Sequence, residues 1–380
     1  MTKDYSQDFA RVEGKVWLNC AHQGPLPNAA VDEAHEAIAW KTALHLLRDE
    51  LFFDVPLRLR HALGKLIGTP PEDIILGNSA SYGLHLLANG IRWKAGDEVL
   101  VVAGDFPADL FPWLGLEKRG INVRFVEPRQ EVLQAEELES HLTKSTKLLC
   151  VTYVHSFNGH AVDVQKLGEL CRAKGVTFVI NCSQALGARA FDVSRIAVDA
   201  ITNVGFKWLC GPYGTGFCWI RPELRESLDY NQAYWLAMLT PEDLAKELPR
   251  VTLRSDLGAR RYDVFGTANF FNFKPWAAAV EYLLEQGIDR IETHNNSLVS
   301  RLIGGLDPKR YDLLSPREGA ARSTLVFVSH KDSKRNSEIY ESLRKSGVYI
   351  ASRAGKLRFS PHLYNTHDDI DHALSILQAI

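Results

Sequence analysis

Between about residues 70 and 220 the chain alternates short apolar runs with longer amphipathic stretches. The runs Asp73–Leu76, Glu98–Ala103, Asn122–Val126, Leu148–Val154, Thr177–Ile180, Ala200–Thr202 and Gly216–Ile220 read as strands. Ala80–Asn89, Ala108–Arg119 and Gln165–Ala173 read as helices between them. Near-continuous Val/Ile/Leu strands separated by helices indicate a mainly parallel sheet covered by helices on both faces. After about residue 260 the pattern changes. Helices are expected over Phe273–Glu285, Asp289–Ile303 and Ser333–Ser346, with strands at Leu325–Ser329, Val348–Ala351 and Lys356–Ser360. A last helix starts at His367, with Thr366 as its N-cap and Asp368 and Asp369 in the first turn. The fold class is therefore α/β, with a smaller α+β C-terminal domain. The expected division is an arm over 1–27, a large domain over 28–260 and a small domain over 261–380. Asn28–Leu47 forms a helix beside the small domain.

Ligands on such sheets bind beyond the C-terminal strand ends. Three early strands end in polar clusters. Gly77-Asn78-Ser79-Ala80-Ser81 opens a helix, where free backbone N–H groups suit a phosphate, although N-capping by Ser79 or Ser81 explains the same residues. Phe106 follows the next strand, either as a flat stacking surface or as core. Asn181 and Gln184 end the Thr177–Ile180 strand, facing the crevice or capping the next turn. Lys207 then stands in Gly205-Phe206-Lys207-Trp208-Leu209, followed by the glycine-rich Gly211-Pro212-Tyr213-Gly214-Thr215-Gly216. An amine crowded by Phe206, Trp208 and Leu209 is pushed toward its neutral, nucleophilic form and can form a Schiff base with an aldehyde. A surface lysine before a tight turn fits this window equally well.

Composition narrows the function. The 380 residues carry 44 basic and 46 acidic side chains, a formal charge of −2, which offers no footprint for nucleic acid or an anionic membrane. No apolar run approaches the roughly 20 residues of a membrane span, and Met1–Arg11 is too polar for a signal peptide. Six single cysteines without a Cys-x-x-Cys pair read as reduced core thiols of a cytoplasmic protein, and no metal site is expected. The glycine fingerprints of dinucleotide and P-loop sites are absent, as is a Gly-x-Ser-x-Gly elbow.

Five segments together resemble the fold-type I pyridoxal-phosphate (PLP) enzymes, in particular the class V aminotransferase-like group of cysteine desulfurases, kynureninase and isopenicillin N epimerase. They are Trp17-Leu18-Asn19-Cys20-Ala21-His22-Gln23-Gly24-Pro25-Leu26-Pro27, Asp105-Phe106-Pro107-Ala108-Asp109, the Lys207 window, Arg261-Tyr262-Asp263 with Gly266-Thr267-Ala268-Asn269, and Leu357-Arg358-Phe359-Ser360. The resemblance implies a PLP-binding large domain in which Lys207 carries the cofactor and moves the Cα proton. Phe106 stacks on the ring, Asn181 faces its nitrogen and Gln184 bonds its hydroxyl. Ser79, Ala80, Ser81 and Ser156 line the cofactor, and Thr267 reaches the phosphate across a homodimer. Arg358 grips the substrate carboxylate, with Asn19, His22, Gln23 and Arg353 around it; Trp235 is a further expected pocket residue. The implied activity is transamination or β-elimination at Cα/Cβ of an α-amino acid. Epimerisation is the alternative, with His22, Tyr213 or Tyr364 as the second proton donor.

Three departures from the group matter. Asn181 stands where it has an aspartate, which weakens the ring as an electron sink and admits a PLP-binding homologue without activity. Val204 and Phe206 replace the Ser and His common in the desulfurase branch. Between Ser346 and Arg358 there is no cysteine, so the desulfurase nucleophile is missing.

Overall fold

The structure is a computed structural model and describes residues 3–380, so Met1 and Thr2 of the polar N-terminal stretch lie outside it. In chain order the strands are β1 (Val16–Trp17), β2 (Ile74–Gly77), β3 (Glu98–Val102), β4 (Asn122–Val126), β5 (Thr146–Thr152), β6 (Thr177–Asn181), β7 (Ala200–Val204), β8 (Gly216–Ile220), β9 (Tyr311–Leu313), β10 (Val326–His330), β11 (Val348–Tyr349), β12 (Ala351–Arg353) and β13 (Lys356–Phe359). The large sheet has seven strands in the order β2-β8-β7-β6-β5-β3-β4. β3 through β7 pair in parallel, and only β8 runs against its neighbours β7 and β2.

The apolar runs follow from this architecture. Every residue of β2, β3, β7 and β8 is buried, because helices cover both faces. Successive residues still serve opposite faces: Leu149, Val151, Phe178 and Ile180 pack in one core, Leu148, Cys150 and Val179 in the other. β4 lies at the edge and leaves Asn122 and Phe125 exposed. Helices Asn28–Thr42 and Leu51–Ile67 both pack on Phe270–Gln286.

The C-terminal part forms a four-stranded sheet, β12-β13-β10-β9, over helices Ile288–Gly305 and His367–Ala379. Leu18, just after β1, is buried in that core, and β1 pairs in parallel with β11. Thr366 accepts from Asp369 N–H while Asp369 accepts from Thr366 N–H, a capping box built on the N-cap expected from the sequence.

Several element assignments change. Ala108–Arg119 is three short pieces, Pro107–Asp109, Phe111–Leu114 and Glu117–Arg119, since Pro112 and Gly115 prevent one continuous helix. Asn28–Leu47 ends as an α-helix at Thr42, and Leu44–Leu46 follows as a 3₁₀ turn. Val348–Ala351 divides at Ile350, its first half pairing with β1 and its continuation, β12, with β13. The helix Leu51–Ile67 was not expected, because Pro56 interrupts its pattern; burial of Val55, Leu59, Ala62, Leu63 and Leu66 along one face outweighs the lost hydrogen bond.

Candidate active site

The C-terminal ends of β2, β3, β5, β6 and β7 converge on one cavity of about 350 Å3. Its walls hold Ser79, Ala80, Ser81, Phe106, Ser156, Asn181, Gln184 and Lys207 from the large sheet. His22 and Gln23 enter from the N-terminal arm, and Arg353 and Arg358 from the β12–β13 hairpin. These twelve residues, singled out in seven separate stretches of sequence, thus share one space.

Lys207 is held from both directions. Behind it, Trp208 is fully buried, donating from Nε1 to Gln184 Oε1 at 3.0 Å, and its carbonyl lies 3.1 Å from His362 Nε2. In front, Gly24 N–H donates to the Phe206 carbonyl at 2.9 Å. A Cβ on Gly24 would sit 2.1 Å from the Lys207 carbonyl oxygen, so only glycine lets the arm approach this closely. Burial, followed by the Arg358 guanidinium, pulls the Lys207 amine down to about 8. Its Nζ lies 5.6 Å from the centroid of the Phe106 ring. That ring is 41% exposed and packs nearly parallel to Phe157, so Phe106 is a cavity-mouth residue and not core.

Helix Ala80–Gly90, whose first turn lines the cavity, begins with no side-chain cap. Ser79 Oγ turns instead to Asn78 Oδ1, leaving the first amides open to an anion. Gly216 permits this turn, since a Cβ there would meet the Ser79 backbone at 2.6 Å. On the β12–β13 hairpin, Arg358 is 2% exposed; its Nη2 donates to Asn19 Oδ1 at 3.3 Å and its Nε has no partner. Burial and the neighbouring Arg353 pull its guanidinium down to about 9. Asn19 therefore joins the site through Arg358 rather than through the cavity wall. No aspartate or glutamate lines the cavity, and His22 is held below its ordinary range by burial and by Arg353, Arg358 and Lys207.

Some expected residues sit elsewhere. Trp235 is 52% exposed and outside the cavity, because its short helix Trp235–Met238 buries Leu236 and Ala237 instead. Tyr364 is buried behind the arm, in the wall of a different cavity. Thr267 borders a third cavity with Arg60, Arg260 and Asp263. Asp263 itself is structural: it accepts from Leu76 N–H at 2.9 Å and pairs with buried Arg60. Both ends of the Gln184 amide are engaged, Nε2 donating to the Ala21 carbonyl at 3.1 Å, which leaves one Nε2 hydrogen for a ligand. Sequence reasoning overlooked Phe157 and Thr152 in the wall; both follow or end β5, so the strand-end rule could have found them.

The sequence model of one family, aminotransferase class-V, matches residues 54–372. The chain belongs to that family. Isopenicillin N epimerase of Streptomyces clavuligerus is 27% identical, with 96% of this chain and 94% of the relative aligned. A probable cysteine desulfurase of Methanothermobacter thermautotrophicus is 25% identical over 97% of this chain and 95% of its own length. Among solved structures, a mutant of C-DES with glycine covalently linked to its PLP cofactor superposes with a TM-score of 0.89 at 20% identity, covering 98% of each chain. These class-V aminotransferase relatives are PLP enzymes, and the cavity suits that cofactor. It offers an uncapped helix start for a phosphate, an aromatic face, a depressed lysine and a buried guanidinium with an unpartnered N–H. Among the described residues no cluster of His, Cys, Asp and Glu is arranged for a metal, and no helix is long and apolar enough to cross a membrane.

Proposed function

We propose that this class-V aminotransferase homologue removes a β-substituent from an α-amino acid, with Lys207 as both the attachment point of PLP and the base at Cα. The bound cofactor supplies an electron sink for the Cα–H bond. The carrying observation is the Lys207 amine, lowered to about 8 in a cavity whose wall has cations but no carboxylate. At pH 7 roughly one such amine in ten is neutral and free to accept a proton, against a few in 10,000 for an ordinary lysine, and the adjacent cations favour an anionic amino acid.

Shared placement in the cavity supports the remaining roles. Ser79, Ala80 and Ser81 would take the phosphate, Phe106 would offer its ring to the cofactor, and Ser156, Asn181 and Gln184 would border it. Arg358, steadied by Asn19, takes the α-carboxylate in a bidentate grip. His22, Gln23 and Arg353 surround the substrate side chain. Thr267 is assigned to the phosphate of a second copy of the chain, consistent with its distance from its own Lys207 cavity and with exposed aromatics at Tyr213, Phe265 and Phe271. The homodimer is tested by sedimentation. All six cysteines are buried and none lines the cavity, which favours elimination over sulfur transfer to a protein thiol.

Epimerisation is the second reading, favoured by His22 and Tyr213 both bordering the cavity. One experiment separates the two. The PLP-loaded protein is offered a panel of amino acids with β-leaving groups in deuterium oxide. Pyruvate and ammonia support elimination. Inversion with deuterium at Cα and no keto acid supports epimerisation and overturns the first reading.

A further inference from the structure

The amide that replaces the family's aspartate has a carboxylate directly behind it. Asn181 Nδ2 donates to Asp109 Oδ1 at 2.8 Å, and Asn181 Oδ1 accepts from Ser183 N–H at 3.0 Å. Asp109 is 1% exposed, its Oδ2 has no partner, and Asn181 is the sole hydrogen-bond partner of its carboxylate among the described residues. Amide orientations are assigned from their networks, and here both ends give the same answer. Turning the amide over would set its oxygen against the Asp109 carboxylate and its NH₂ against the Ser183 N–H. The second Nδ2 hydrogen has no protein partner, and Asn181 lines the cavity wall.

We propose that Asp109 is a positioning residue that locks the Asn181 amide with an N–H toward the cavity, so that the cofactor ring is bound through an unprotonated nitrogen. This rests on the PLP reading of the cavity. An N–H donor there satisfies a neutral pyridine nitrogen and disfavours a pyridinium, whose own N–H would point at it. Asp109 sits too deep for direct contact, since it is absent from the cavity wall. Burial and the neighbouring Asp105, which accepts from the Phe106 and Thr152 N–H groups, raise its carboxyl well above the usual range. A neutral Asp109 can still accept from Asn181 through its carbonyl oxygen, and the Ser183 N–H then fixes the other end of the amide.

The pair also changes what restoring the family's aspartate would do. Asn181→Asp alone sets a second carboxyl group at hydrogen-bond distance from Asp109, where two like charges cannot both ionise. Exchanging the two residues, Asp109→Asn with Asn181→Asp, recreates one amide and one carboxylate with the carboxylate facing the cavity.

The test uses the four proteins of this cycle, with two readouts. In the unloaded proteins, Asn181→Asp should lower Tm by about 5 °C, and the exchange should recover at least half of that loss. In proteins loaded with PLP labelled with nitrogen-15 in the ring, the wild-type nitrogen should resonate as unprotonated and that of the exchange variant as protonated. A merely structural Asp109 would give the Tm coupling without the change in ring nitrogen, and that result overturns the proposal. A protonated wild-type ring overturns it as well. If no borohydride-sensitive absorbance forms at all, the PLP reading itself fails and this inference with it; uptake without coupling between 109 and 181 sinks the inference alone.

Discussion

The depressed Lys207 amine has a kinetic consequence in the unloaded protein. An ordinary lysine near 10.5 is neutral in about 3 of 10,000 molecules at pH 7, whereas one at about 8 is neutral in roughly one of ten, a ratio of about 300. Only the neutral amine attacks an aldehyde. Mixing the apoprotein with a simple aromatic aldehyde and following imine absorbance by stopped flow gives the rate at each pH. Because the folded amine titrates low, the rate should rise about tenfold per pH unit below pH 8 and then level off. The Arg358 guanidinium is the second cause of the depression after burial, so Arg358→Met should move the break upward by part of the shift, not all of it. A rate that climbs without a break through pH 9 and 10 would refute the reasoning, as would a break that ignores Arg358→Met.

Three further expectations rest on single positions. Gly24→Ala forces a Cβ to 2.1 Å from the Lys207 carbonyl oxygen and should cost about 1–3 kcal/mol, read as a lower unfolding midpoint together with faster loss of PLP on dialysis. Thr366→Ala removes one arm of the capping box and should cost about 1 kcal/mol in urea unfolding while PLP uptake stays normal. Arg358→Gln should raise KM for the amino acid at least tenfold more than it lowers kcat, since a bidentate carboxylate contact is lost; equal effects would place Arg358 outside the carboxylate grip.

The sheet was legible because burial on both faces writes itself as uninterrupted Val, Ile and Leu, and the strand-end rule then located Phe106, Asn181 and Lys207. Helix Leu51–Ile67 was not legible, because Pro56 breaks its local pattern and its stability comes from packing on Phe270–Gln286, over 200 residues away. Phe106 and Ser79 were ambiguous in sequence since stacking and core, or anion binding and capping, use the same residue types. Their exposure and the missing cap distinguish these in three dimensions. Arg353 and Arg358 share one side of a hairpin turned at Ala354 and Gly355, both with positive φ, and Ala351 opposes Arg358 in that register. The Asp109–Asn181 hydrogen bond joins residues 72 apart, and no spacing rule reveals it. Trp235 and Tyr364 show the reverse error, in which nearness to a motif did not bring a side chain into the cavity.

The central claim is that Lys207 carries the cofactor, and peptide mapping after borohydride reduction tests it most directly. Wild-type protein incubated with PLP and reduced should yield one pyridoxyl-labelled peptide, modified at Lys207, and Lys207→Ala should yield none. A label distributed over surface lysines, or one retained in Lys207→Ala, would contradict the account.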